Sequence, residues 1–331
     1  MAKVIIGIHG LGNKPTKQLL EKWWKEAIIE GLTKAGKPYS DFKFELIYWA
    51  DVLHEKQLDE KCIDKNSPVY LSERYAPSSG KSNNEDHSFR RKMLDILSTE
   101  LESTFIEKDF TPKYAVVTDA IMKHWFKDLE DYYNEKFLPA FNSNAKKIIR
   151  NRVIEVIEKY KDDEILLIAH SMGSIIAFDV LSFEIPGAKI DSLVTIGSPL
   201  AAPMVKSKIA AEQKQHLGHL RHLRTPSPLE RKWYNFADIE DKVAYNYELA
   251  DDFAINRHLV KPVDFLVFND YQINGERNPH KSYGYLRTPE MAAKIREFLE
   301  YEPPSVLNRR IQEIKNIMKL LFRTNRNPQN Q

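Results

Sequence analysis

The sequence contains little cysteine, no excess of charge of either sign and no long apolar run. Its single cysteine, Cys62, excludes an intramolecular disulfide and indicates a reducing compartment. The formal net charge of the 331 residues is only +2, so the chain has no overall field for nucleic acid, and no nucleic-acid partner is expected. No stretch approaches the roughly 18 apolar residues of a membrane-spanning helix, and the apolar run at residues 4–8 is too short for a secretory signal. The sequence therefore predicts a cytoplasmic protein.

The glycine-rich stretch GIHGLGNKPT, residues 7–16, lacks the register of the two common phosphate-binding loops. A P-loop needs Gly-Lys-Ser/Thr in direct succession, whereas Gly12 is followed by Asn-Lys-Pro. The dinucleotide-binding pattern also fails, because Gly10 and Gly12 are followed by Pro15 at the place of its last glycine. We therefore expect this loop to serve another purpose and predict no cofactor.

Short β-branched runs alternate with helical patterns along most of the chain, which is typical of an α/β protein. The expected architecture is a mostly parallel sheet with helices on both faces. The predicted strands are residues 3–9, 42–50, 164–170, 191–197, 233–237 and 264–270. Apolar residues at helical spacing follow the first strand, and the same spacing at residues 291–299 predicts a late helix.

The region from residue 51 to residue 144 interrupts this alternation, with helical patterns around a polar stretch and no convincing strand. It predicts a large helical cap insertion over the strand ends, where ligands bind in such folds; the alternative is a surface elaboration with no role in the site. The predicted core is therefore residues 1–50 and 145–300.

In the C-terminal segment, residues 301–331, the stretch 306–326 combines an apolar helical stripe with many basic residues and a single glutamate. A basic amphipathic helix at residues 305–326 fits contact with an anionic membrane surface, which would make the protein peripheral to the membrane. The alternative is a helix docked on the body of the protein with its charges solvated.

The most specific motif is a strand that runs directly into Ala-His-Ser-Met-Gly and then into a helix. Ser171 stands between the small residues Ala169 and Gly173. Small neighbours are needed because bulky side chains in so tight a turn would collide with the adjacent strand and helix. The pattern predicts Ser171 as a nucleophile, and the alternative is a serine that only caps a buried helix.

A serine that attacks an acyl carbonyl needs backbone N–H donors for the oxyanion that forms. One donor is expected to be Met172, the residue after the nucleophile. The other comes from a His-Gly loop after a different strand, and the N–H of Leu11 in His-Gly-Leu-Gly occupies that place. The residues expected to line the site are His9, Gly10, Gly12, His170, Gly173 and Ser198.

The nucleophile also needs a base and an acid, and in hydrolases their chain order is serine, acid, histidine. Candidates for the acid are Asp238, Glu240 and Asp241, which follow a predicted strand. His280 is the best candidate for the base because it lies in a Gly/Asn/Pro-rich loop before the last core helix.

Other histidines compete for the role of the base. His258 lies between the acid candidates and the next strand, and His170 lies within the turn of the nucleophile. His216, His219 and His222 stand at helical spacing and could bind a metal. No acidic or cysteine ligand neighbours these three, so we expect a solvated face and predict no metal.

These motifs resemble those of serine α/β-hydrolases of the lipase type. The stretch AHSMGSIIAFDVL resembles the nucleophile turn of intracellular DDHD-type phospholipases and their bacterial relatives, Ser-His-Ser-Leu-Gly-Ser before a similar helix. Those lipases carry an Asn, five residues and then Asp-Pro-Val-Ala-Tyr. Here Asn235 is followed by five residues and Asp-Lys-Val-Ala-Tyr, so the resemblance selects Asp241 over Asp238. The GSPL turn at residues 197–200 is also similar, whereas the HGLGN start resembles small bacterial lipases more closely.

The resemblance covers the N-terminal strand and roughly residues 131–299, and it implies an α/β-hydrolase fold with a serine esterase or lipase activity. The substrate would be a small-molecule or lipid carboxylic ester, cleaved through Ser171, His280 and Asp241. Around His280 there is no metal-ligand pattern of the kind the DDHD name denotes. The alternatives are an acyltransferase with the same three residues and a non-catalytic module that binds lipid or protein.

Overall fold

A computed structural model describes residues 2–36, 39, 41–78, 80, 120–133, 137–218, 222–244 and 248–302. The contacts within the chain divide it into two units, Met1–Ile295 and Arg296–Gln331. Of the second unit only the first seven residues, 296–302, belong to the described part. The predicted amphipathic helix at residues 305–326 therefore lies outside the described residues, as does most of the polar stretch of the insertion.

Six parallel strands form one sheet, which confirms the predicted α/β architecture. The strands are β1 (Lys3–Ile8), β2 (Lys43–Ile47), β3 (Glu164–His170), β4 (Ile190–Ile196), β5 (Leu229–Ala237) and β6 (Pro262–Leu266). Their order across the sheet is β6-β5-β4-β3-β1-β2, and every neighbouring pair is parallel.

Two of the strands end earlier than the sequence predicts. The strand expected at residues 42–50 ends at Ile47, because a short helix begins at Ala50. The strand expected at residues 264–270 is β6, which ends at Leu266. Beyond it, the N–H of Asn269 donates to a carboxylate oxygen of Asp238 at 2.6 Å, so a side chain takes the place of a strand partner.

The helices are α1 (Lys17–Lys34), α2 (Ala50–Leu53), α3 (Ala120–Tyr133), α4 (Ala145–Lys159), α5 (Met172–Asp179), α6 (Pro203–Leu217), α7 (Ser282–Leu286) and α8 (Pro289–Glu300). A π-helical turn, Val180–Glu184, continues α5, and a 3-10 turn spans Pro139–Phe141. Two-residue strands pair Phe137–Leu138 with Ser143–Asn144, Leu223–Arg224 with Phe253–Ala254, and Gln272–Ile273 with Glu276–Arg277.

Helices cover both faces of the sheet, as the alternation of residues along β1 shows. A Cβ on Gly7 would lie 2.9 Å from the ring of Trp24 on α1. Val4, one of the residues on the opposite face, belongs to the same apolar cluster as Ile149 and Val153 of α4. Each fully buried side chain of this kind stabilises the fold by about 1.5–3 kcal/mol.

The order of strands places one crevice at the carboxyl edge of the sheet. From β1 the chain first adds β2 on one side and then crosses to add β3 on the other. The loops after β1 and β3 therefore leave the sheet side by side in opposite directions, and in such sheets ligands bind in the crevice that opens there. The first loop begins at His9 and the second holds Ser171.

The insertion is helical in α3, but the prediction of a helical pattern is wrong for residues 54–78, which contain no helix. This segment forms turns that bond within it, for example from the N–H of Asp59 to the carbonyl oxygen of Val69 at 2.8 Å, and it also bonds to the body of the protein. The side chain of Tyr75 and the backbone N–H of Ser78 both donate to the carboxylate of Glu30 on α1, at 2.8 and 2.9 Å. Within the described residues no helix has the length and apolar character needed to cross a membrane.

Candidate active site

Ser171 occupies a sharp turn between β3 and α5. Its φ of 57° and ψ of −129° place a non-glycine residue in a region that costs about 1–3 kcal/mol. The side chain makes no capping hydrogen bond to α5, and its Oγ lies 3.2 Å from Nε2 of His280. Ser171 therefore stands at a helix start without serving as its cap.

Two glycines allow the backbone to close around this serine. A Cβ on Gly10 would lie 2.7 Å from the Cβ of Ser171, and a Cβ on Gly173 would lie 2.7 Å from the carbonyl oxygens of Ile8 and His9. Both distances are too short for real atoms, so any larger residue would push the β1 loop away from the serine. This explains physically why small residues surround Ser171 in the sequence.

His280 links Ser171 to Asp241. Its Nδ1 lies 3.0 and 2.9 Å from the two carboxylate oxygens of Asp241. A carboxylate only accepts, so the proton of the neutral imidazole is assigned to Nδ1, and Nε2 is left to accept from the serine hydroxyl. Asp241 is only 3% exposed.

Burial alone would raise the pKa of Asp241, but the adjacent His280 and several hydrogen bonds hold it below the ordinary value. The Tyr285 hydroxyl donates to Oδ2 at 2.7 Å, and the N–H of Val243 donates to Oδ1 at 2.9 Å. Asp241 is therefore an ionised acceptor that orients the histidine ring.

Tyr285 and Gly197 belong to this arrangement, although sequence analysis gave neither a specific role. The hydroxyl oxygen of Tyr285 also accepts a hydrogen bond from the N–H of Asp238 at 2.9 Å, which connects α7 to the loop that holds Asp241. Gly197 has a φ of 53°, and a Cβ there would lie 2.8 Å from Asp241 Oδ2. The resemblance of the GSPL turn pointed to the importance of Gly197. Nothing in the sequence around Tyr285 distinguishes it from an ordinary core tyrosine.

Asp238 and Glu240, the other candidates for the acid, face different partners. The carboxylate of Asp238 accepts from the N–H groups of Asn269 and Glu240 and from the guanidinium of Arg277. Arg277 also pairs with the carboxylate of Glu240. The structure thus brings Asp241, and neither of these two residues, to the histidine.

The loop after β1 is anchored by His9. Its Nε2 accepts the N–H of Trp49 at 3.0 Å, and its Nδ1 lies 2.7 Å from the carbonyl oxygen of Gly10. Burial and the charge of Lys14 lower the pKa of His9 well below its ordinary value, so the ring is neutral and carries its proton on Nδ1. The ring stacks on Trp49 with centroids 4.7 Å apart.

Of the two N–H groups predicted to bind an oxyanion, one belongs to the β1 loop and the other directly follows the serine in the chain. In the β1 loop, the N–H of Gly12 already donates to Asp128 of α3 at 2.9 Å and is therefore not available to an oxyanion, whereas Leu11, the predicted donor, lines the cavity at Ser171. Met172 is the first residue of α5, where the N–H has no acceptor within the helix. The bond from Asp128 also places part of the insertion against this loop.

A cavity of about 320 Å³ opens at Ser171 and His280. Of the residues predicted to line the site, four do so, together with Leu11: His9, Gly10, Gly12 and His170. The prediction is wrong for Gly173 and Ser198, neither of which lines the cavity. Gly173 is packed under the end of β1, and the Ser198 hydroxyl lies 2.8 Å from that of Ser174 within α5.

His170 is a buried neighbour of the histidine that faces Ser171. Its Nε2 lies 2.8 Å from the carbonyl oxygen of His280, and the two rings are 4.8 Å apart. Burial and the proximity of His280 lower the pKa of His170 well below its ordinary value. It therefore packs as a neutral ring against His280.

The remaining histidines that the sequence raised lie away from this cavity or outside the described residues. His258 is exposed and accepts from Arg257 at 3.0 Å. His216 and His222 are exposed, and His219 lies outside the described residues. Within the described part of the chain, no group of three metal-ligating side chains could hold a metal ion.

A scan against models of known protein families finds no match to this chain, and a search of curated protein sequences finds no similar protein. The functional inference therefore depends on the geometry around Ser171, His280 and Asp241.

The backbone of Ser171 leads to a prediction about stability. The free energy of unfolding of Ser171→Gly is expected to be about 1 kcal/mol higher than that of Ser171→Ala. Glycine adopts a positive φ freely, whereas alanine at this φ keeps a strain of about 1–3 kcal/mol in the folded state. The larger conformational entropy of glycine in the unfolded chain offsets about 0.4–1 kcal/mol of this advantage. Urea unfolding of both variants measures the difference.

The matched control is Ala177, in the interior of α5, where the native alanine is compared with Ala177→Gly. There the order should reverse, because glycine inside a helix is about 0.5–1 kcal/mol less favourable than alanine. An alanine variant at position 171 as stable as the glycine variant would contradict the strain.

Proposed function

We propose that the protein is a serine hydrolase of the α/β-hydrolase fold that cleaves carboxylic esters. The observation that carries this proposal is the line of contacts from Ser171 Oγ to His280 Nε2, at 3.2 Å, and from His280 Nδ1 to Asp241, at 2.9 Å. The nucleophile would be activated by the histidine, and the buried carboxylate would keep the histidine in the required tautomer.

In the first half of the reaction, Ser171 Oγ attacks the ester carbonyl while its proton passes to His280 Nε2. The imidazolium is stabilised by Asp241, and the oxyanion is bound by the N–H groups of Leu11 and Met172. The tetrahedral intermediate then expels the alcohol, which takes the proton from Nε2. An acyl group remains bonded to Ser171.

In the second half, His280 Nε2 takes a proton from a water molecule that attacks the acyl-enzyme. The resulting tetrahedral intermediate releases the carboxylic acid, and the proton returns from His280 to Ser171 Oγ. Each of the four proton transfers passes through His280 Nε2. No cofactor enters this sequence.

The arrangement of the sheet supports the same fold assignment. The proposed nucleophile, acid and base follow β3, β5 and β6, and the predicted oxyanion loop follows β1. All four loops leave the carboxyl edge of a parallel sheet, which is where α/β-hydrolases carry their reactive residues. We also propose a cytoplasmic location, based on the single cysteine.

The test is labelling with a fluorophosphonate probe, which reacts with activated serines, combined with turnover of p-nitrophenyl esters of graded acyl length. The native chain is expected to be labelled, and Ser171→Ala and His280→Ala are expected to lose both labelling and turnover. Ser174→Ala, which removes a buried hydroxyl one helical turn away, is the matched control and should keep both.

Each outcome bears on the proposal. Labelling that persists in Ser171→Ala would place the nucleophile elsewhere and contradict it. A folded native chain without labelling or turnover would favour a non-catalytic binding module. If turnover occurs, the preferred acyl length separates an esterase for small molecules from a lipase.

A further inference from the structure

Two lysines line the same cavity as Ser171 and His280. Lys14 lies in the β1 loop, where its ammonium group donates to the carbonyl oxygen of Leu11 and, at 3.0 Å, to that of Gly12. An ammonium group has three N–H donors. Among the described residues no further acceptor is bonded to it, so one donor can serve a ligand.

The second lysine, Lys281, follows His280 directly. Its ammonium group donates to Glu73 at 2.7 Å, and Glu73 also accepts from Asn278 at 2.6 Å. The two lysines are close enough to repel, since the charge of Lys281 adds to burial in lowering the pKa of Lys14. Glu73 and Asp128 oppose that decrease.

Below about pH 7, the pKa to which Lys14 is lowered, the walls of the cavity carry an excess of positive charge. Apart from histidines, the charged side chains among its described lining residues are Lys14, Lys281 and Glu73. Burial and the charge of Lys281 lower the pKa of Lys14 to about 7, so below that pH they make two cations and one anion, and a bound anion favours the charged form of Lys14. His9 and His170 are neutral, since burial lowers the pKa of each. The carboxylate of Asp128 binds the N–H of Gly12 and does not line the cavity.

We propose that Lys14 and Lys281 form a subsite for a negatively charged group, a carboxylate or a phosphate, carried by the ester that Ser171 attacks. This inference rests on the proposed ester hydrolysis and specifies its substrate class. A partly enclosed cation attracts an anion more strongly than one in water, because the lower polarity of the surroundings weakens screening.

The rest of the cavity suits the apolar part of such a substrate. Its other lining residues include Leu20, Trp24, Leu58, Leu71 and Tyr283. A cavity with an apolar wall and a few charged groups orients an amphiphilic ligand. We therefore infer an ester that combines an apolar chain with one acidic group.

The test compares two p-nitrophenyl esters that share a four-carbon acyl chain, the neutral butyrate and the succinate monoester, which ends in a carboxylate. The native chain should prefer the succinate in kcat/KM. The preference, defined as the succinate-to-butyrate ratio, is expected to fall roughly tenfold in Lys14→Met and in Lys281→Met, mainly through KM. It should rise in Glu73→Gln, which removes the opposing charge and keeps the shape.

Lys22→Met is the matched control, because this lysine is on α1 with 67% of its side chain exposed. Its succinate-to-butyrate ratio should stay within about twofold of the native one. Inorganic phosphate is added as an inhibitor in a parallel series. Competitive inhibition that weakens in both cavity variants would support the anion subsite.

The outcomes separate this inference from the proposed function. Butyrate turnover with an unchanged ratio in both cavity variants would overturn the anion subsite and leave ester hydrolysis standing. Inhibition by free phosphate without a preference for the charged ester would show that the subsite binds free anions. It would overturn the inference that the bound anion is part of the ester substrate. Absence of turnover and of fluorophosphonate labelling in the native chain would overturn the proposed function, and the inference with it.

Discussion

Asp241→Asn is expected to lower kcat for ester hydrolysis by about 10⁴-fold, whereas Asp238→Asn should leave kcat within about tenfold of the native value. The carboxylate of Asp241 lies 2.9 Å from His280 Nδ1. An amide there cannot stabilise the imidazolium by charge, and its NH₂ group can turn the histidine into the wrong tautomer. The proton would then occupy Nε2, the atom that must accept from Ser171.

Asp238 makes a matched control because it is as buried as Asp241 and only three positions away. Its carboxylate accepts from the N–H of Asn269 and pairs with Arg277. Asp238→Asn should therefore lower the free energy of unfolding while kcat stays within about tenfold of the native value. Steady-state kinetics on a p-nitrophenyl ester measure kcat of both variants, and urea unfolding measures their free energies of unfolding. A larger loss of kcat in Asp238→Asn than in Asp241→Asn would contradict the assignment of the acid.

Arg150→Met is expected to lower the free energy of unfolding by about 3–5 kcal/mol. Arg150 is 5% exposed and bonds to Asp179 at 2.8 Å, to Glu184 at 2.7 Å and to Glu212 at 3.1 Å. Asp179 ends α5, the helix that begins after Ser171. Removing the guanidinium would leave a buried carboxylate without its cation.

The pH dependence of this loss has a definite sign. Burial raises the pKa of Asp179 above its ordinary value, and the charge of Arg150 opposes the increase. Without Arg150 the folded-state pKa rises further, so the folded protein binds a proton more tightly than the unfolded chain. The stability of Arg150→Met should therefore fall as pH rises through that pKa and recover towards lower pH.

Urea unfolding at several pH values measures this effect, with Arg152→Met as control. Arg152 lies on the same helix and pairs with Asp51, but both side chains are partly exposed, at 26% and 37%, so the cost should be below about 1 kcal/mol. Replacing Asp179 with leucine in the Arg150→Met background should restore stability. Equal losses in the two arginine variants would contradict the role of the buried charge.

The parts of the fold that were predictable from sequence have local causes. The run into Ser171 is one: a buried strand, small residues beside a tight turn and an immediate helix stand next to one another in the chain. The end of β6 was not predictable in this way, because beyond it the N–H of Asn269 donates to the carboxylate of Asp238, 31 positions earlier in the chain. Within residues 54–78, the hydroxyl of Tyr75 donates to Glu30 on α1, 45 positions earlier, a contact that the neighbouring sequence does not indicate.

The site shows the same division between local and distant causes. Spacing and resemblance pointed to Asp241 over Asp238, and the structure brings Asp241 to a histidine 39 positions away. Tyr285 was not predictable, because nothing in its neighbours indicates that its hydroxyl reaches a carboxylate 44 positions earlier. Lys14 was noticed only as part of a failed phosphate motif, and its place beside Lys281 depends on the folded loop.

The distribution of the site over four strand ends makes its assembly late. Ser171 precedes His280 by 109 positions, and β6 lies between them. While the chain is being synthesised, the proposed nucleophile leaves the ribosome long before its proposed base, and on the proposed mechanism it remains an ordinary alcohol until His280 has reached it. On that mechanism a chain that ends before His280 would be unreactive at Ser171, and reactivity of Ser171 would itself report that the loop after β6 has reached the serine.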